Sequence, residues 1–446
     1  MSLALNEYIL DDIVNITSNK VDTKNLVLQQ YISTENMLPD RKGISLAASM
    51  PLGKVNQFLK NDTLFSNIRT YFRKVWFSSF DGGSSPDVLI FRAKDVEVLD
   101  PRFLYYLISD QKFIDYSDKT SKGAKMPRGD KSAILNYKTY LPALSIQKRI
   151  SQILSDLDDK IHLNNQINQT LESIAQAIFK SWFVDFEPVR AKITAKQTGQ
   201  DPEFAAMCAI SGKSEAELEQ MAKEDFAELQ ATAALFPDEL VETELGDVPK
   251  GWEVKEASSI FNISIGKTPP RKEPYWFSNY SDDIKWLSIK DMGNNGLFTK
   301  ETSEYLTHQA IAKFNIKVLP RNTVLLSFKL TVGRVVISNS EITTNEAIAH
   351  FFSDKIPYFW TYLYLRNFDF SKLGSTSSIA TAINSKIIKD MPFLVVDTMI
   401  LRVFEKNVST FFETIRNNEV QNSNLMNVRD TLLPKLLSGE VSLDMV

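Results

Sequence analysis

Apolar residues recur along this chain at two rhythms. From Ile150 onward, Ile150, Leu154, Leu157, Ile161, Asn164, Asn168, Leu171, Ala175, Ile178 and Trp182 follow one another at alternating steps of four and three. That is the heptad seam of a long helix. A second seam, Phe411, Ile415, Asn418, Asn422, Leu425, Arg429, Leu432 and Leu436, repeats the steps, and each member lies 254 positions after its counterpart between Leu157 and Trp182. A lone helix cannot satisfy a one-sided apolar stripe, so the pattern predicts two long helices that bury their stripes against each other. Both seams hold two successive asparagines, and a polar group in an apolar seam is costly unless it meets a polar partner. An antiparallel pair sets Asn164 near Asn422 and Asn168 near Asn418, whereas a parallel pair sets Asn164 near Asn418. Periodicity alone admits both.

The second rhythm is the period of two expected of strands. Residues 1–144 mix short alternating runs and turns, TYFRKVWFSSF and DGGSSPDVLIFRAKDVEVLD, with a helical segment in PRFLYYLISDQKFIDYS. Residues 247–391 repeat the order, with strand-like KWLSIKDM, NTVLLSFKL and TVGRVVISNSEI, then helical YFWTYLYLRNFDFSKL. Pro142 and Pro392 stand at matching places before the long helices. Ser145 is the expected N-cap of the first helix, and Pro434 the expected end of the second. The reading is an α+β chain with internal two-fold symmetry: a mixed block at 1–144, a helix and acidic connector at 145–246, a second mixed block at 247–391, and a terminal helix at 392–446.

Composition narrows the class. With 446 residues, 43% of them hydrophobic, the chain has material for more than one core. No stretch approaches the roughly twenty apolar residues a bilayer requires, and Glu7, Asp11 and Asp12 interrupt the amino-terminal run, so a cytoplasmic protein with no membrane partner is expected. Cys208 is the sole cysteine, and His162, His308 and His350 are scattered, so neither a disulfide nor a metal site is expected. The net charge of −4 conceals an uneven distribution. Residues 185–250 carry 6 Lys/Arg against 15 Asp/Glu, while residues 1–140 carry 19 against 16 and residues 251–392 carry 17 against 13. The two large blocks are modestly basic, which is compatible with a polyanion partner and equally ordinary for a soluble domain.

Motifs for catalysis are missing. Gly266-Lys267 lacks the glycine five positions earlier that a phosphate-binding loop needs, and no glycine-rich cofactor motif adjoins an Asn-Pro-Pro. Asp158 and Lys160 have the look of a nuclease carboxylate-lysine pair, yet they fall on the long amphipathic helix, where charges solvate the outer face. Trp182 with Phe183 reads either as a docking site or as a helix end packed on the connector, and YFWTYLYL as core rather than a base-stacking platform.

Four stretches carry a resemblance: LPALSIQKRISQILSDLDDKI, INQTLESIAQAIFKSWFVDFEPV, GDVPKGWEV and RDTLLPKLLSGEV. They lie in the two helical regions and the connector, roughly 140 of the 446 residues, and in combination they resemble the specificity subunit of type I restriction-modification systems. The resemblance implies two target-recognition domains separated by an antiparallel helical pair, each reading one half of a bipartite double-stranded DNA target. It also implies a non-catalytic chain that docks two modification (methyltransferase) subunits and motor-nuclease restriction subunits. S-adenosylmethionine, ATP and magnesium would then belong to those partners, with no cofactor in this chain. GWEV introduces only the second block, so the edge of the first is less sharply marked. A helix of about 34 residues is about 50 Å long, and DNA sites one turn apart are separated by about 35 Å, so such a strut can hold two readers on one DNA face.

Under this reading the DNA contacts fall in polar, basic loops. TSKGAKMPRGDKS sets Lys122, Lys125, Arg128 and Lys131 among glycines, and LPDRKG adds Arg41 and Lys42. In the second block, GSTSSIATAIN supplies Ser375, Thr376, Ser377 and Ser378 at the corresponding place, and SIGKTPPRKEPYW supplies Lys267, Arg271 and Lys272. Arg and Lys read guanine edges, whereas Ser and Thr are less selective. The same loops could equally be solvated surface. Two other classes remain: a scaffold whose coiled coil only joins partners, and a stand-alone nuclease, which would need Asp158.

Overall fold

The computed structural model describes residues 5–123, 126–243, 246–373 and 383–441. The chain forms two compact units, one of residues 1–162 with 422–446 and the other of residues 163–421. Two helices of 40 residues, Leu144–Phe183 and Thr398–Leu437, contribute to both units. Each is about 60 Å long at 1.5 Å per residue.

In the first unit an antiparallel sheet runs in the order Val14–Ile16, Val88–Ala93, Thr63–Ser66, Val75–Phe77. The helix Pro101–Ser109 covers it, started by Pro101 and by the Asp100 carboxylate, which accepts from the Phe103 amide at 2.8 Å. Asp110 ends that helix, and Gln111–Lys119 follows as a second one. Phe65, Phe91, Phe103 and Phe113 form the core with Ile150 and Leu154 of the first long helix and Leu433 and Leu436 of the second. The two helix segments are therefore antiparallel here. A smaller mixed sheet runs Lys20–Asp22, Lys54–Phe58, Gly82–Ser84, Tyr31–Ile32, its last pair parallel. A Cβ on Gly82 would lie 2.3 Å from the Gln30 carbonyl oxygen and 2.5 Å from the Phe58 ring, so glycine is what lets this strand sit inside the sheet. Asn6–Ile9 pairs with Lys138–Leu141 and ties the start of the chain to the entry of the long helix.

The second unit repeats this plan in the same chain order. Its antiparallel sheet runs Asn262–Ile265, Ile348–Phe352, Val324–Ser327, Val335–Ile337, under the helix Tyr358–Asn367. Phe359, Trp360, Tyr362 and Leu363 of that helix are buried core, as the aromatic run predicted. Glu253–Glu256 pairs with Pro392–Val395 as Asn6–Ile9 does with Lys138–Leu141. The smaller sheet runs Phe277–Ser278, Glu304–Leu306, Ile284–Leu287, Thr343–Thr344. Relative to the first unit, its second and fourth strands in chain order have exchanged places. Thr343–Thr344, standing where the first unit has its glycine strand, takes the edge.

The connector folds as the helices Glu187–Thr198, Pro202–Ser211, Glu215–Glu219 and Lys223–Ala234, with a small cluster of Ala206, Met207, Leu218 and Ala233. Lys192 is buried and donates to Glu203 and to the Phe236 carbonyl, both at 2.8 Å. Trp182 and Phe183 pack against Phe236, Trp252 and Phe404, so they are core. Two expectations about helix ends are corrected. The first helix begins at Leu144, and the Ala143 carbonyl accepts from Ile146 and Gln147, which leaves Ser145 inside the first turn rather than at the cap. Pro434 lies within the second helix, which continues to Leu437. A proline in the last turn removes only one backbone bond, and the burial of Leu433 and Leu436 retains that turn until Gly439, at φ +71°, closes it.

Candidate nucleic-acid interface

The central hairpin of each unit ends in a tip that combines left-handed backbone with exposed apolar side chains. In the first unit, Thr63–Ser66 and Val75–Phe77 are joined through a one-turn 3₁₀ helix, Thr70–Phe72. Arg69 and Arg73 flank it at φ +51° and +54°, in the left-handed region. The Tyr71 and Phe72 rings at its apex are 4.7 Å apart, with 49% and 39% exposure. The predicted basic loop is stitched to this tip. Arg69 N–H donates to the Pro127 carbonyl at 3.0 Å, Gly129 N–H donates to the Asn67 carbonyl at 3.1 Å, and Asn67 Nδ2 donates to the Gly129 carbonyl at 3.1 Å. A Cβ on Gly129 would lie 2.5 Å from Asn67 Oδ1, so glycine is required for this approach.

The stitched loop presents Lys122 and Arg128 on one surface, their backbones exchanging hydrogen bonds of 2.8 and 2.9 Å. Both side chains are exposed and rest on carboxylates, Lys122 on Asp130 at 2.5 Å and Arg128 on Asp87 at 3.1 Å. Exposed pairs of this kind contribute little and exchange readily for a phosphate. The Lys122 ammonium holds the Asp130 carboxyl below its usual range. Lys131, on the helix that Asp130 caps, and Lys42 are also exposed. Lys125 lies outside the described residues.

Arg41 corrects its expected role. Its side chain is only 1% exposed and pairs with Asp430 of the second long helix, with Arg73 3.7 Å from the same carboxylate. A guanidinium so enclosed ties the loop to the helix instead of standing free on the surface.

In the second unit the corresponding hairpin turns through Phe328–Arg334. Leu330 sits at φ +63° and is 96% exposed, and Gly333 follows at φ +89°. The turn is closed by Thr331 N–H donating to the Lys329 carbonyl at 2.7 Å and Gly333 N–H donating to that of Ser327 at 3.0 Å. Gly333 abuts Phe370, in the 3₁₀ turn Phe370–Lys372 that leads into residues 374–382. Ser375, Thr376, Ser377 and Ser378 lie outside the described residues.

The loop from Lys267 to Lys272 is more occupied than its charge implies. Lys267 donates to the Phe314 and Asn315 carbonyls at 3.1 and 2.9 Å, closing the C-terminus of the helix His308–Phe314. Arg271 grips Glu304 with two bonds of 2.7 and 2.9 Å and lies over Phe277 and Trp286. Lys272 remains exposed. The hairpin tips escaped sequence reasoning because left-handed backbone at Arg69, Arg73 and Leu330 leaves no mark in hydropathy.

Along the helices, Asn418 Nδ2 donates to Asn168 Oδ1 at 2.9 Å, and Asn164 Nδ2 donates to Gln421 Oε1 at 2.7 Å. Asn422 is buried. These second-unit contacts join the start of one helix segment to the end of the other, the antiparallel sense. Asp158 is bound to Arg429 at 2.5 Å and accepts from the Tyr106 hydroxyl at 2.9 Å, so it serves to hold the helix pair and the sheet-covering helix together. Among the described residues no three His, Cys, Asp or Glu side chains gather as metal ligands, and no helix is long and apolar enough to cross a membrane.

Comparison with known proteins adds an independent line. The family model for the type I restriction modification DNA specificity domain matches residues 6–173 and 249–422. The type I restriction enzyme HindI specificity subunit of Haemophilus influenzae is 31% identical over 458 residues, covering 98% of this chain and 99% of the other. The MjaIX specificity subunit of Methanocaldococcus jannaschii is 26% identical over 349 residues, covering 77% and 69%. In fold, the chain is similar to the S subunit of a type I restriction-modification system from M. genitalium, with a TM-score of 0.50, 13% identity, and 97% and 96% of the two chains covered.

Proposed function

Because this chain belongs to the family of type I restriction-modification DNA specificity subunits, we propose that it reads a split, asymmetric DNA target, one half through each unit. It is non-catalytic in this reading. It serves as the platform for two modification subunits, which use S-adenosylmethionine, and for motor-nuclease subunits, which use ATP and magnesium. The observation that supports the reading most is the repeat itself. Two units whose antiparallel sheets share one strand order each project a hairpin tip with exposed cations beside the segment that follows the helices packed on that sheet. The antiparallel sheets agree, while the smaller sheets differ in strand order and the tips differ in sequence. Two unlike readers on like frames suit an asymmetric target.

Replacing residues 247–391 by the corresponding block of a relative tests this. Methylation by the assembled complex should then shift to a target changed in one half only. An unchanged target in an assembled complex would contradict the reading and leave a scaffold. A nuclease role has less support, because Asp158 is committed to Arg429 and Tyr106.

A further inference from the structure

The tip of the second unit's hairpin concentrates two costs in one residue. Leu330 stands in left-handed backbone, which the Cβ of an L-residue resists, and its apolar side chain is almost wholly exposed. Glycine would remove the strain, as Gly333 does three residues on, and a polar residue would remove the apolar exposure. The backbone around Leu330 is fixed: Thr331 N–H donates to the Lys329 carbonyl, and the Ser327 hydroxyl to that of Thr331. Lys329 and Arg334 bracket it in sequence, and Arg334 is itself held, donating to the Ile289 carbonyl at 3.1 Å. At the same place between the corresponding strands, the first unit exposes Tyr71 and Phe72 beside the exposed Arg69, while Arg73 turns toward Asp430.

An apolar group held out beside exposed cations fits a nucleic-acid duplex. The cations meet phosphates, and the apolar group meets a thymine methyl or the face of an opened base step. A protein partner would call for a broader contiguous apolar surface than Leu330 with the partly exposed Val332 provides. We propose that Leu330 in the second unit, and Tyr71 with Phe72 in the first, are the apolar base-contacting residues of the two half-sites. The proposal rests on the chain being a two-part DNA reader.

The test uses the chain assembled with its modification subunit, and measures methyl transfer to duplexes carrying the target and each single base-pair variant of it. Leu330→Ala should reduce discrimination about tenfold at one or two adjacent base pairs of one half-site and leave the other half unchanged. Leu330→Gly should show the same loss although it relieves the backbone. Tyr71→Ala with Phe72→Ala should produce the complementary loss in the other half. Wild-type discrimination by either Leu330 variant, in a complex shown to be assembled, would overturn the proposal. That failure is distinct from failure of the two-part reading, which shows as an unchanged target after replacement of residues 247–391.

Discussion

His350 shows how a single residue ties this fold to pH. Its ring nitrogens lie 2.9 Å from Ser264 Oγ and 2.7 Å from Thr344 Oγ1, and burial, with Lys317 nearby, pushes its pKa down to about 3. In the unfolded chain a histidine titrates near 6.5. Above that pH both states are neutral and the stability is fully present. Below it only the unfolded state takes up the proton, so stability is lost progressively as pH falls toward 3, by a few kcal/mol in all. Urea midpoints of the wild type should therefore fall from pH 6.5 to 4 more steeply than those of His350→Gln, and equal slopes would contradict this assignment. Asp158 offers a second test. Asp158→Asn removes one of the two carboxylates, with Asp430, that pair with a nearly buried Arg429, and should cost about 1–2 kcal/mol in chemical unfolding while leaving the methylation target unchanged. A changed target with unaltered stability would count against a structural role.

At the scale of elements, the long helices were the most legible part of the sequence, because a seam sustained over many turns has few alternative structures. Their direction was not legible, since the heptad pattern reads alike for both; it emerges from pairs such as Asn168 with Asn418. Asn168→Leu or Asn418→Leu alone should destabilise by about 1–2 kcal/mol, because the remaining amide loses its partner in the seam. The double variant should recover most of that loss, as two apolar side chains pack instead. Additive losses in a double-mutant cycle would mean that the pair is not coupled. The ends of these helices were less legible. Pro434 looked like a terminator, but packing of Leu433 and Leu436 outweighs one missing backbone bond. Among the loops, charge located the basic surface of Lys122 and Arg128, yet it could not reveal that Arg41 is enclosed by Asp430 or that Arg271 is clamped by Glu304. Those outcomes depend on partners hundreds or tens of residues away.

The whole molecule is two repeats of one plan, from the short strand at Asn6–Ile9 or Glu253–Glu256 to the long helix that closes each repeat. The duplicated seam announced this plan in the sequence. The exchange of strands in the smaller sheets was hidden, because short strands such as Tyr31–Ile32 and Thr343–Thr344 carry too few residues for a readable period. The repeats agree in their antiparallel sheets and differ in the smaller sheets and the hairpin tips, where the proposed reading puts the contacts to different bases. The central claim is that this chain selects the sequence its complex modifies. It is tested most directly by a genome-wide map of methylated adenines in cells that express the chain with its modification subunit, against cells lacking the chain. The account predicts a split, asymmetric motif methylated only when the chain is present; an identical methylation map in both, with the complex shown to be assembled, would contradict it.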